Sequence, residues 1–170
     1  MNPNAAYDID IQVEDPTAMP VNVTDLEQAA AATLAHLGCE SASLTIVITD
    51  DDEVARLNRD YRQVDGPTDI LSFPAQGADE MFELPPEVEL EVGAYLGDLI
   101  IAYPFTVVQA EQYHNPLAGE LRLLVVHGTL HLLGYDHDTE DRQREMWQIQ
   151  GQVLSKLGDT STNWERAYES

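Results

Sequence analysis

The chain has 170 residues, 44% of them hydrophobic, with one cysteine and 31 acidic against 8 basic side chains, a formal charge of −23. That length suits one domain around a single core, and a lone Cys39 excludes an intramolecular disulfide framework. The acid surplus excludes a broad cationic face for nucleic acid, so any phosphate contact must come from a few placed arginines. No stretch is apolar over the length a membrane span needs. The first residues lack the basic start and apolar core of a signal peptide, so a cytoplasmic protein with no membrane partner is expected.

In chain order, residues 8–14 (DIDIQVE) alternate polar and apolar as a half-buried strand does. Thr24-Asp25-Leu26-Glu27 carries a capping-box pattern and opens a helix, an alanine-rich run fills it, and Gly38 closes it. Residues 43–49 (SLTIVIT) are β-branched and predict a buried strand. A second helix is expected from Glu53 to about Tyr61, with acid at its start and Arg59 and Arg62 at its end, as the helix dipole favours. Arg56, Arg59 and Arg62 place three cations within seven residues. Arg56 and Arg59 are read as solvent-facing charges or surface ion pairs. Arg62 begins a polar loop and is the better candidate for contact with an anion.

Gly66-Pro67 marks a turn before a short strand at 70–74 (ILSFP), whose proline places it at a sheet edge or ends it. Residues 75–92 hold six acids and Pro85-Pro86; a mobile acidic insertion is expected there. Residues 95–103 (YLGDLIIAY) predict a buried strand in which Asp98 is either a hydrogen-bonded structural acid or a group behind the metal site described next. Pro104 opens a helix reaching about His114. Asn115-Pro116 reads as an N-cap and first helical residue, and residues 121–133 are apolar almost all round, so this helix is expected to be buried. A last helix runs from Thr139 to Leu157, with Trp147 as a core residue and Arg142 and Arg144 near its start. Gly158 stops it, and a frayed tail is expected over about 159–170.

The chemistry concentrates in the eleven residues HGTLHLLGYDH, from His127 to His137. His127 and His131 are four apart and project from one helix face, about 40° apart around the axis. Gly134 supplies a left-handed residue that ends the helix and lets His137 return to the same point. Three neutral imidazoles suit one Zn²⁺ and leave its fourth position open, which is catalytic rather than structural in character. The spacing is that of the metzincin proteases, whose second motif residue is a glutamate base. Here Gly128 stands there, so a peptidase mechanism lacks its proton acceptor. Asp136 and Asp138, flanking His137, are read as polar turn residues.

The motif His127-Gly128-x-Leu130-His131-Leu132-x-Gly134-Tyr135-Asp136-His137 resembles the signature of the YbeY family of metal-dependent endoribonucleases. Two further segments resemble the same family: Leu57-Asn58-x-x-Tyr61-Arg62 leading into Asp65-x-Pro67-Thr68-Asp69-Ile70-Leu71-Ser72-Phe73-Pro74, and Leu96-Gly97-Asp98-Leu99-Ile100-Ile101. Together they extend over about residues 44–158 in consistent order. The resemblance implies an α/β (α+β) fold, a small mixed four-stranded sheet covered by about five helices, with the metal site on a central buried helix. It implies a single endoribonuclease domain over 1–170 that cleaves single-stranded RNA in ribosomal RNA maturation, at the 3′ end of the small-subunit RNA, and in ribosome quality control. The implied partners are ribosomal RNA and the ribosome or its associated proteins. Carried over by position, the metal ligands are His127, His131 and His137. The family's arginine falls on Arg62, which would contact the RNA backbone or stabilise charge at the scissile phosphate. Val64 departs from the pattern, standing where the family commonly has a lysine. The rivals are a zinc peptidase or amidase and a non-catalytic ribosome-assembly factor with a stabilising metal.

Overall fold

The computed structural model describes residues 6–75 and 94–159. The expected insertion over 75–92 and tail over 159–170 lie, Ala75 and Asp159 apart, outside the described residues. Among the described residues four strands and five helices run in the order β1 (Ala6–Val13), α1 (Val23–His36), β2 (Ser41–Thr49), α2 (Asp51–Arg62), β3 (Ile70–Pro74), β4 (Ala94–Ala102), α3 (Tyr103–Gln112), α4 (Leu117–Leu132) and α5 (Glu140–Lys156). The strands form one mixed sheet of order β1-β2-β4-β3, parallel except for β3, which pairs antiparallel with β4. The α/β class and the four-stranded mixed sheet match the expectation.

Period-two alternation decides the two faces of the sheet. Leu44, Ile46 and Ile48 of β2 and Leu99 and Ile101 of β4 join the large core under α1, α4 and α5. On the other face Leu71 of β3 and Ala102 pack with Val54, Leu57 and Phe105 in a smaller cluster under α2. Helix α4 is the centre of the larger core: twelve of its sixteen residues are buried, as an all-round apolar helix requires. Its one cation in the 121–133 run, Arg122, is neutralised by Asp25 at 3.5 Å and Asp159 at 2.8 Å.

Two helix starts differ from expectation. Asn22, not Thr24, caps α1, its side chain accepting from the Asp25 N–H. The N-cap of α4 is Pro116, without a side-chain cap. Asn115 is drawn instead to the buried Glu120, to which its Nδ2 donates at 3.2 Å, while Gln109 of α3 donates to Glu120 at 2.9 Å and to Asp69 at 3.2 Å. A buried carboxylate without donors is costlier than an unfilled cap, so the asparagine serves the acid.

A candidate metal centre beside an uncompensated arginine

Helix α4 lies against the sheet so closely that a Cβ on Gly128 would sit 2.8 Å from Ile70 Cδ1 of β3 and 2.8 Å from Leu99 Cδ2 of β4. This contact sets the height of the next turn, where His127 and His131 lie side by side. The helix ends at Leu132, and Gly134, at φ +98°, reverses the chain as expected. Asp136 Oδ1 then accepts from the His137 N–H at 2.7 Å and shapes the turn, in keeping with its reading as a turn residue. The result brings all three histidines together: one ligating nitrogen from each lies within 4.8 Å of the others.

The donor set fits a divalent ion. His127 is fully buried, and its Nδ1 lies 3.1 Å from Gln150 Oε1 of α5, an acceptor, so Nδ1 carries the proton and Nε2 presents a lone pair. His131 donates to the Tyr135 backbone, and its Nε2 lies 3.1 Å from His127 Nε2. Two lone pairs facing each other at that distance repel unless a cation lies between them. Tetrahedral zinc with Zn–N bonds of about 2.0–2.1 Å separates its nitrogen ligands by roughly 3.4 Å, close to what is present. Burial, and then the neighbouring His137, lower the pKa of His131 below the ordinary histidine value, which keeps it a neutral ligand near neutral pH. Trp147 is buried as expected, its ring 6.0 Å from His127 and 5.3 Å from His137, centroid to centroid. It walls the site and holds both rings.

Arg62, the last residue of α2, reaches the same site across β3. Its guanidinium donates to the Ser72 carbonyl at 3.0 Å and, with Ser72, Pro74, His131, Tyr135 and Asp136, lines a cavity of about 340 Å³. The other described arginines are ion-paired: Arg56 with Glu53 and Asp60, Arg59 with Asp60, Arg122 as above, Arg142 with Asp138, Arg144 with Asp141. Among the described residues Arg62 is thus the one arginine without a carboxylate partner, and its positive charge is available to an anion. Asp98 is not behind the metal site. It alternates with Leu99 and so faces away from α4, where it accepts from the Tyr95 hydroxyl: the structural acid of the two alternatives.

Gln150 and the Ser72 carbonyl escaped the sequence reading. Nothing in the spacing of Gln150 marks it, though a glutamine on the buried face of the helix after the motif is a signal that could have been followed.

The chain as a whole resembles known proteins. The protein-family model described as Endoribonuclease YbeY matches residues 9–158. Proteins named Endoribonuclease YbeY include one from Chloroflexus aurantiacus, 45% identical over 136 residues covering 78% of this chain and 82% of that one. Another, from Chloroflexus aggregans, is 44% identical and covers 89% of this chain and 97% of that one. A third, from Cellvibrio japonicus, is 34% identical over 95% of this chain and 86% of its own. A solution structure from Thermotoga maritima shares the fold, with a TM-score of 0.52 at 23% identity over 94% of this chain and 96% of that one. With the family match running from the first strand past the last helix, the chain belongs to the endoribonuclease YbeY family.

Proposed function

We propose that the chain is a zinc-dependent endoribonuclease that cuts single-stranded RNA in ribosomal RNA processing, at the 3′ end of the small-subunit RNA, and in ribosome quality control, acting as one domain over residues 1–170 in the cytoplasm. The observation that carries this is that the uncompensated Arg62 and His131, a member of the three-histidine cluster, line one cavity. The cavity falls at the small end of ligand sites, roughly 300–1,000 Å³, a size that suits a single nucleotide.

His127, His131 and His137 would hold one zinc ion, and when bound it supplies a +2 charge that polarises a phosphoryl oxygen and acidifies water toward a pKa of ~7. The chain does the rest. Gln150 keeps the proton on His127 Nδ1, so that Nε2 stays a ligand. Arg62, steadied by the Ser72 carbonyl, offers its remaining N–H groups to the non-bridging oxygens as negative charge grows on the phosphate. Trp147 and the apolar body of α4 exclude water from the back of the rings. The peptidase alternative lacks support at Gly128, where a glutamate side chain would collide with Ile70 and Leu99.

The test is cleavage of a single-stranded ribosomal RNA fragment with and without chelator, beside Arg62→Ala and His131→Ala. Cleavage that stops on chelation and returns with zinc, and that falls roughly 10²-fold or more in each variant, is the expected result. Cleavage indifferent to chelation and to both substitutions overturns the proposal. Casein cut instead of RNA favours a peptidase, and RNA bound but never cut favours an assembly factor.

A further inference from the structure

Strand β3 carries a side chain that the chemistry above leaves unused. Alternation places Ile70 and Ser72 on one face of the strand. Ile70 meets α4 at Gly128, so Ser72 points toward the same helix, near the level of His131. The serine is only 6% exposed, lines the cavity with Arg62 and His131, and its Oγ has no hydrogen-bond partner among the described residues. A buried hydroxyl without a partner is destabilising, and an alanine would fill nearly the same space without that cost.

The main chain of Ser72 adds to this. The Ala102 N–H donates to the Asp69 carbonyl and the Ala75 N–H to the Leu96 carbonyl, so the odd-numbered residues of β3 face their partner β4. In an antiparallel pair the residues between them turn their N–H and C=O the other way. Those of Ser72 therefore face away from β4, on the side where the carbonyl accepts from Arg62 and where no strand pairs among the described residues. Ser72, with its buried hydroxyl and outward N–H, thus lines one cavity with the Arg62 guanidinium beside it.

We propose that Ser72 is a substrate-binding residue: its hydroxyl and main-chain N–H donate to the non-bridging oxygens of the phosphate that Arg62 draws in. The assignment rests on the endoribonuclease function proposed above. Ser72 donates hydrogen bonds only, and no covalent bond forms at Oγ. An RNA phosphate thus meets donors from two elements, α2 and β3, that approach it from one side, leaving the opposite side to the histidines.

The test uses the zinc-loaded full chain as wild type, Ser72→Ala and Ser72→Thr. Readouts are binding of a fluorescent single-stranded RNA oligonucleotide, KM and kcat for its cleavage, zinc content and melting temperature. Ser72→Ala is expected to melt no lower than wild type and to keep its zinc, while RNA affinity weakens and KM rises, each roughly tenfold; Ser72→Thr, which keeps the hydroxyl, regains most of the affinity. Unchanged binding and KM in Ser72→Ala, in a wild type that binds and cuts, overturns the role of Ser72 and leaves the endoribonuclease standing. Weakened binding accompanied by a lower melting temperature and lost zinc overturns it as a structural effect. A wild type that neither binds nor cuts the RNA overturns both.

Discussion

Gln150 on α5 and His127 on α4 are joined at 3.1 Å, the amide oxygen facing Nδ1. This one contact fixes which nitrogen of a fully buried histidine can face a metal. Gln150→Leu removes the acceptor, and zinc affinity is expected to weaken roughly 10–100-fold, as measured by competition with a chromophoric chelator. Gln150→Glu keeps an acceptor oxygen and should bind nearly as wild type does. Equal affinity for Gln150→Leu and wild type would show the tautomer to be fixed by something else.

Metal removal should be legible as stability. The two Nε2 atoms that face each other at 3.1 Å are better tolerated with a cation between them, and an ion bound only by the folded state stabilises it by about 4 kcal/mol at a thousandfold excess over Kd. Calorimetry is expected to show a lower Tm on chelation for wild type and no response for His131→Ala. A chelator-insensitive wild type would argue that no ion is held there.

Gly128→Glu restores the residue that a peptidase of this motif would use. With Ile70 Cδ1 and Leu99 Cδ2 each 2.8 Å from the position of its Cβ, the variant is expected to lose several kcal/mol through overpacking and a buried charge. Urea denaturation should therefore show an unfolded or barely folded protein with no proteolysis of casein. A stable variant that cuts casein would reverse the reading of this helix face.

Alkaline pH probes the far end of the sheet. The Tyr7 hydroxyl donates to the Cys39 carbonyl at 2.6 Å, and burial raises the pKa of both the phenol and the thiol above their ordinary values. Each is an acid that the unfolded chain releases first. The stability is therefore intact near neutrality and is lost as pH rises past the ordinary thiol value of 9.0. The urea midpoint is expected to fall between about pH 7 and about pH 10, and to fall less in Cys39→Ala. Identical slopes in the two proteins would remove Cys39 from the account.

The histidine cluster could be read from the chain because its three ligands and the reversing Gly134 lie within eleven residues, where local helix geometry alone brings them together. Arg62 needed more: its loop position and the family resemblance pointed to it, but only the packing of α2 across β3 aims its guanidinium at His131. The helix caps went astray by short steps, at Thr24 against Asn22 and at Asn115 against Pro116. In the second case a tertiary demand, the buried Glu120, took the side chain that a local rule assigns to the cap. Asp98 could have been settled from alternation alone, since Leu99 and Ile101 claim the α4 face. Gln150 could be picked out only as a glutamine on a buried helix face, because its partner lies twenty-three positions away on another helix.

Edge strands invite strangers. Along the outer side of β3 the row of main-chain groups that could recruit a second polypeptide is already interrupted, the Ile70 N–H donating to Asp69 Oδ1. Pro74 withholds one donor from that row, and Arg62 covers the Ser72 carbonyl. So blunted, this edge offers a second copy of the chain little main-chain surface to add onto.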